Sequence, residues 1–226
     1  MCDDDKKIDI KTPVMEKNDM IAGENRRYLQ GLNLLTLNLI SSPGAGKTTV
    51  LEAMARYFGS RMAVIEGDVQ TRRDAERIEK AGCRAWQIET GGACHLDAGA
   101  VKHALGHMEL EKDELSLLAI ENVGNLICPS GYDLGEDIRI GLLSTPEGDD
   151  KVLKYPSLFS SIDLMIINKM DLAAHLDFDV ERTIEECRSL NPEVRVFTVS
   201  ARTGEGMEEL CTFIQSQLPG SGPKRG

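Results

Sequence analysis

The chain has no long apolar run. Its longest uninterrupted apolar stretches are four residues, at 62–65, 117–120 and 164–167, whereas a helix needs roughly twenty to cross a bilayer. A membrane span is excluded. A surplus of basic residues is also missing: 26 Lys and Arg against 37 Asp and Glu leave a formal charge of −11. That balance opposes broad binding to a phosphate backbone, and nucleic acid is not expected as a partner. The six cysteines, at 2, 83, 94, 128, 187 and 211, include no C-x-x-C pair, so no disulfide framework is expected. Cys83, Cys187 and Cys211 fall inside periodic segments and are expected to fill the core. The opening Met1-Cys2-Asp3-Asp4-Asp5 has neither the basic start nor the apolar stretch of a secretory signal, which makes the cytoplasm the expected compartment.

A length of 226 residues suits one large domain. Residues 1–18 are polar, rich in Asp and Lys, and contain Pro13; they read as a mobile leader. A helix is expected to start at Asn18 or Asp19, the first plausible N-cap, with Ile21, Tyr28, Leu29 and Leu32 on one face. From there to residue 218 short apolar runs at 33–40, 61–66, 84–88, 115–121, 138–143, 162–167 and 194–199 alternate with helical stretches at 47–58, 71–81, 96–110, 178–190 and 206–217. This alternation predicts an α/β fold. Several runs are apolar at consecutive positions, as strands covered by helices on both faces must be, so the sheet is expected to be mainly parallel. Residues 219–226, with two Pro and three Gly, read as a disordered tail.

The first run leads into Ser41-Ser42-Pro43-Gly44-Ala45-Gly46-Lys47-Thr48-Thr49 and then a helical stretch. Strand, glycine loop and helix together are what a polyphosphate site needs. Gly44 and Gly46 allow backbone N–H groups to converge on an anion, and the helix adds its positive end. Ala45 and Thr49 complete the cradle; Lys47 can reach the β- and γ-phosphates, and the Thr48 hydroxyl can ligate a bridging Mg2+. The usual pattern G-x-x-x-x-G-K-[ST] has Gly where this chain has Ser41. The predicted architecture is the three-layer P-loop NTPase fold.

The run at 162–167 ends in Asn168-Lys169-Met170-Asp171, and strand ends are where open α/β sheets bind ligands. The Asp171 carboxylate can accept from the ring N–H and the amino group of guanine, and adenine offers no such pair. N-K-x-D with Ser200-Ala201 after the last strand therefore points to GTP. Two further strand ends carry acids, Glu66-Gly67-Asp68 and Glu121-Asn122-Val123-Gly124. The second stands where GTPases have D-x-x-G, with Gly124 placed to offer an N–H to the γ-phosphate. Asp68 and Glu121 are the candidates for holding Mg2+ and positioning the attacking water, because acids that close apolar strands are costly without a partner.

Cys94 and His95 precede the helical stretch 96–110, where a helix N-terminus is expected to favour the thiolate that binds metals. Cys128 lies four residues beyond Gly124, so a metal it holds is tied to the segment that answers to the γ-phosphate. Two cysteines and a histidine suit nickel or zinc but do not close a tetrahedral site; symmetric pairing of two chains could complete it. His103 and His107 share a helix face, but a rise of ~1.5 Å per residue puts His103 ~12 Å from His95, too far for one set of ligands. They are expected to be solvated.

The blocks Ser42–Thr49, Gly92-Ala93-Cys94-His95-Leu96-Asp97-Ala98, Glu121-Asn122-Val123-Gly124-Asn125-Leu126-Ile127-Cys128-Pro129, Glu147-Gly148-Asp149-Asp150-Lys151 and Asn168-Lys169-Met170-Asp171 together resemble the HypB family, the nickel-incorporation GTPases of nickel-iron hydrogenase maturation. The similarity runs from about residue 20 to 217. It implies a GTP-hydrolysing metallochaperone that forms a homodimer on binding GTP. It also implies an interfacial nickel or zinc site with ligands resembling Cys94, His95 and Cys128, and delivery to the hydrogenase large subunit with a HypA-type nickel chaperone. Some relatives carry an N-terminal C-x-x-C-G-C site or a His-rich tract where this chain has Cys2 and three Asp, and a separate N-terminal nickel site is not expected. Others have a further histidine where this chain has Gly99, which leaves the coordination number open. The alternatives are a GTPase metallochaperone for another client such as urease, a small-molecule kinase, against which Asn168 and Asp171 count, and a metal buffer whose GTP site only controls pairing.

Overall fold

The computed structural model describes residues 11–68, 73–112 and 114–220. Among the described residues eight α-helices are formed: α1 (Lys11–Gly31), α2 (Lys47–Phe58), α3 (Arg73–Lys80), α4 (Ala98–Leu105), α5 (Lys151–Lys154), α6 (Pro156–Phe159), α7 (Val180–Leu190) and α8 (Met207–Gln217). The strands are β1 (Leu35–Ser41), β2 (Met62–Asp68), β3 (Arg84–Glu89), β4 (Leu117–Glu121), β5 (Ile138–Ser144), β6 (Leu164–Asn168) and β7 (Arg195–Thr198). They make one sheet in the order β3-β2-β4-β1-β5-β6-β7, every pairing parallel.

Consecutive apolar residues in the strands face opposite layers, as the period of two requires. Leu117 and Ala119 join Leu37, Leu39, Val64 and Ile166 beneath α2 and α8, while Leu118 and Ile120 pack with Ala63 and Ile65 beneath α1 and α4. Met165 and Ile167 meet Val152, Phe159 and Cys187 of α5, α6 and α7 in a third cluster on that second side. Because all strands run one way, Ser41, Asp68, Glu121 and Asn168 end theirs along a single edge.

The first helix departs from expectation. It begins at Lys11 rather than at Asn18 or Asp19, so positions 11–18 of the expected leader are helical. Pro13 lies in its first turn, where no N–H is needed for an intrahelical bond. Asn18 is not a cap: it is 5% exposed, donates from Nδ2 to Asp133 O at 2.8 Å and accepts at Oδ1 from Ala98 N at 2.9 Å. The ten residues before α1 and positions 221–226 of the expected tail lie outside the described residues. The stretch expected as helix over 96–110 is helical only over Ala98–Leu105, capped by Asp97, whose carboxylate accepts from Ala100 N.

Candidate functional site: a nucleotide cleft beside a thiol and imidazole cluster

Two cavities adjoin along the ligand edge. One of about 580 Å3 is lined by Pro43, Lys47, Thr48, Arg77, Glu121 and Gly124; the other, of about 410 Å3, by Asn168, Asp171, Leu172, Ala201 and Arg202. Gly46 and Lys169 line both. Their order along the edge matches a polyphosphate followed by a base.

The phosphate loop is shaped by positive-φ glycines, Gly44 at 77° and Gly46 at 100°, a region costly for residues with a Cβ. Gly46 has a second constraint, since a Cβ there would lie 2.6 Å from Asn168 Nδ2. Lys47 opens α2, is 7% exposed and donates from Nζ to Ser41 Oγ at 2.9 Å, so the residue that departs from the usual pattern holds the lysine. Thr48 Oγ1 donates to Glu121 Oε1 at 3.0 Å. Hydroxyl and carboxylate oxygens are the donor type a hard divalent cation takes, and this pair fits Mg2+ at the phosphate end. Asp68 ends β2, but its side chain lies outside the described residues.

The residues expected to read the base are bonded to the phosphate loop. Asn168 Nδ2 donates to Ala45 O at 3.0 Å, and its Oδ1 accepts from Ala201 N at 3.1 Å. Lys169, in the left-handed region at φ 63°, donates from Nζ to Gly44 O at 2.6 Å, and its own carbonyl accepts from Thr145 Oγ1 at 2.8 Å. Asp171 Oδ1 accepts from Ser200 Oγ at 2.7 Å. The segments at 44–46, 168–171 and 200–201 thus form one bonded unit.

Glu121 ends β4, and the chain then turns beneath the phosphate loop. A Cβ on Gly124 would lie 3.0 Å from both Cα and N of Pro43, a contact only glycine allows without movement. Beyond it, Asn125 Oδ1 accepts from Ile127 N at 2.8 Å and from Cys128 N at 3.4 Å, and this turn aims Cys128 back toward the 91–95 loop. Cys94 Sγ, a His95 ring nitrogen and Cys128 Sγ lie within 4.8 Å of one another. With metal–ligand bonds of about 2.0–2.3 Å in a tetrahedral shell, ligand atoms sit roughly 3.3–3.8 Å apart; Cys94 Sγ and His95 Nδ1 are already 3.4 Å apart, so the trio fits one transition ion once its longer separations contract.

The helix N-terminus expected to favour a thiolate at Cys94 lies further along the chain. Cys94 precedes α4 by four positions, Asp97 occupies the cap, and a hydrogen bond with Cys128 is the main cause that raises the Cys94 thiol above its ordinary value. Burial lowers the His95 imidazole, partly offset by Asp97, which favours the neutral, ligating form. Its ring stacks on Tyr132 with centroids 4.0 Å apart. Cys83, Cys187 and Cys211 are buried as expected, and burial pushes their thiols up to about 12, 11 and 12. His103 and His107 are exposed and contact each other, with ring centroids 4.8 Å apart.

Motif reading assigns no role to three residues, Tyr132, Arg77 and Asn122, the last standing inside the 121–129 block. Arg77 lines the phosphate cavity, donates to Thr49 Oγ1 at 3.3 Å and pairs with Glu52 at 2.7 Å. In sequence it is one more charge on a polar helix.

The CobW/HypB/UreG nucleotide-binding domain model matches residues 35–198. The chain is 51% identical over 210 residues to the hydrogenase maturation factor HypB of Azotobacter vinelandii, covering 92% of this chain and 69% of that protein. It is 45% identical over 215 residues to the hydrogenase/urease maturation factor HypB of Helicobacter pylori, covering 92% and 87%. Among solved structures, HypB from Helicobacter pylori in complex with nickel superposes with a TM-score of 0.84 at 42% identity, covering 92% of this chain and 99% of that one. With a parallel sheet, a phosphate loop and these relatives in agreement, the chain belongs to the HypB family of hydrogenase maturation factors.

Proposed function

We propose that this chain is a GTP-hydrolysing metallochaperone that binds nickel at Cys94, His95 and Cys128 and releases it to a hydrogenase large subunit, in company with a HypA-type partner, in the cytoplasm. One observation carries this reading: two sulfurs and an imidazole nitrogen converge within 4.8 Å, and one of them, Cys128, lies on the segment that begins at Glu121, the hydrogen-bond partner of Thr48. Asn168, Lys169 and Asp171, with Ser200 and Ala201, select guanine. Lys47 and the N–H groups at 44–49 hold the phosphates. Thr48, Glu121 and Asp68 are the residues to hold Mg2+, which when bound neutralises charge on the β- and γ-phosphates. Glu121 and Asp68 also position water, and Gly124 offers its N–H to the γ-phosphate. Three protein ligands leave an open coordination position, which suits an ion that must be handed on. The same donor set accepts zinc. Two chains pair when GTP is bound, bringing their ligand sets together.

A second client has specific support. The Helicobacter pylori relative is a hydrogenase/urease maturation factor, and delivery toward urease is the alternative reading.

Variant chemistry tests the assignment. Lys47→Ala is expected to abolish GTP turnover, and normal hydrolysis by that variant contradicts the phosphate-loop role. Cys94→Ala and Cys128→Ala are each expected to weaken nickel and zinc binding at least tenfold in equilibrium titration, with GDP affinity nearly unchanged. Wild-type metal affinity in both would remove the shared site.

A further inference from the structure

Between the nucleotide cleft and the thiol cluster runs a chain of polar side chains, the buried Asn122, Asn38 and Glu136 and the half-buried Arg139. Asn122 is 1% exposed and Asn38 fully buried. Asn122 Oδ1 accepts from two backbone donors at once, Leu96 N at 3.1 Å and Val123 N at 3.0 Å. The first donor follows His95; the second lies between Glu121 and Gly124. Asn122 Nδ2 donates to Asn38 Oδ1 at 3.3 Å, and Asn38 Nδ2 donates to Glu136 Oε1 at 3.1 Å. That carboxylate also receives Arg139 Nε at 2.8 Å. Arg139 then donates to Ser130 O at 3.3 Å and Tyr132 O at 3.1 Å. The chain therefore ends at the turn that starts with Cys128 and at the residue whose ring supports His95.

Leu96 makes the first link stiff. It is 1% exposed and packs so closely on Gly67, at the end of β2, that a Cβ there would lie 2.7 Å from its side chain. Closely packed groups respond to a shift by moving together rather than by deforming. Asn122 sits one residue after the partner of Thr48 and two before Gly124, so displacement of that segment by a γ-phosphate acts directly on the Leu96 N–H.

We propose that Asn122 is a positioning residue that couples nucleotide state to the metal ligands, its amide oxygen holding the 121–124 segment and the Cys94-His95 loop to one another. This rests on the reading of the chain as a GTP-controlled metal carrier and supplies its connection. Coupling is a ratio, here nickel affinity with a non-hydrolysable GTP analogue over nickel affinity with GDP, and linkage requires nickel to change the affinity for the two nucleotides by the same ratio.

The test measures that ratio both ways, in the full-length wild type, in Asn122→Ala and in Asn122→Asp, with thermal unfolding in GDP as the check on folding. In wild type the ratio is expected within the usual range of about 5- to 150-fold for linked sites. Asn122→Ala should bring both ratios to within about twofold of one, with GDP affinity and nickel affinity in GDP changed little. Asn122→Asp keeps the acceptor oxygen and should keep most of the coupling. A residue of merely structural importance would lower stability without moving the ratio. A wild-type ratio of one defeats the metal-carrier reading itself. A coupled wild type with an equally coupled Asn122→Ala overturns the role given to Asn122, and loss of coupling in both variants overturns its assignment to the oxygen. Should the alanine variant not fold cooperatively, Asn122→Ser, whose hydroxyl is too short to span both donors, takes its place with the same expected loss.

Discussion

In the function proposed above, base choice turns on one carboxylate. Asp171 is held by Ser200 Oγ, so it meets an incoming base already oriented. In Asp171→Asn an amide N–H faces a position where guanine also donates. The loss of one charge-assisted hydrogen bond, about 1.5–3 kcal/mol, should lower GTP affinity roughly 10- to 100-fold and shift preference toward xanthosine triphosphate. Competition binding with the two triphosphates measures it, and an unchanged preference contradicts the base assignment. The placement of Lys47 and Asp171 in the cleft and of Cys94 beside Cys128 is legible in the sequence because each belongs to a short motif whose spacing survives in the chain. That of Asn122 and Arg77 is not. Their bonds reach Leu96 and Thr49, 26 and 28 positions away, and no local pattern records such partners.

Elements were legible to the degree that burial imposes a period. All seven strands fall within or beside the expected runs because helices cover both faces, and α2 matches its expected span, 47–58, residue for residue. The four-residue helices α5 and α6 are too short to show a period. The start of α1 was hidden because Asn18 and Asn25 are buried through long-range hydrogen bonds instead of apolar contact. The helix expected over 96–110 is shorter at both ends, since Asp97 is already the cap and the chain leaves the helix at Gly106. Where elements meet most tightly, at Gly124 against Pro43, an added methyl would press on backbone atoms at 3.0 Å. Gly124→Ala is therefore expected to push the 121–128 segment away from the phosphate loop and lower GTP turnover at least tenfold while sparing GDP binding. Paired measurements of kcat and GDP affinity decide it, and wild-type turnover would show that the contact has no part in hydrolysis.

Across the whole molecule, α1 ties the start of α4, just after the thiol loop, to the segment at 133–134. Asn25, 2% exposed, donates to Ala98 O at 2.9 Å and to Leu134 O at 3.0 Å. Asn25→Leu leaves both carbonyls without that donor and should lower stability by about 1–3 kcal/mol, read as a lower denaturant midpoint; an unchanged midpoint would refute the clasp. Arg26 adds an ion pair with Asp133 at 2.8 Å. Burial pushes the Asp133 carboxyl up, but the bonds from Arg26 and Gly135 N outweigh it and hold the group below its usual 3.8. A carboxyl lowered on folding stabilises the protein fully above its unfolded value and loses that contribution as pH falls through the folded one. The stability gap between wild type and Asp133→Asn should stay flat from pH 7 to 5 and close below about pH 4.

In the proposed function the nucleotide's third phosphate decides how tightly the thiol and imidazole cluster holds its ion. The most direct measurement is equilibrium nickel titration of the full chain with GDP and with a non-hydrolysable GTP analogue, followed by solution mass. Tighter binding together with a pair of chains in the triphosphate state is the predicted result. Equal nickel affinity and a single chain in both states would contradict it.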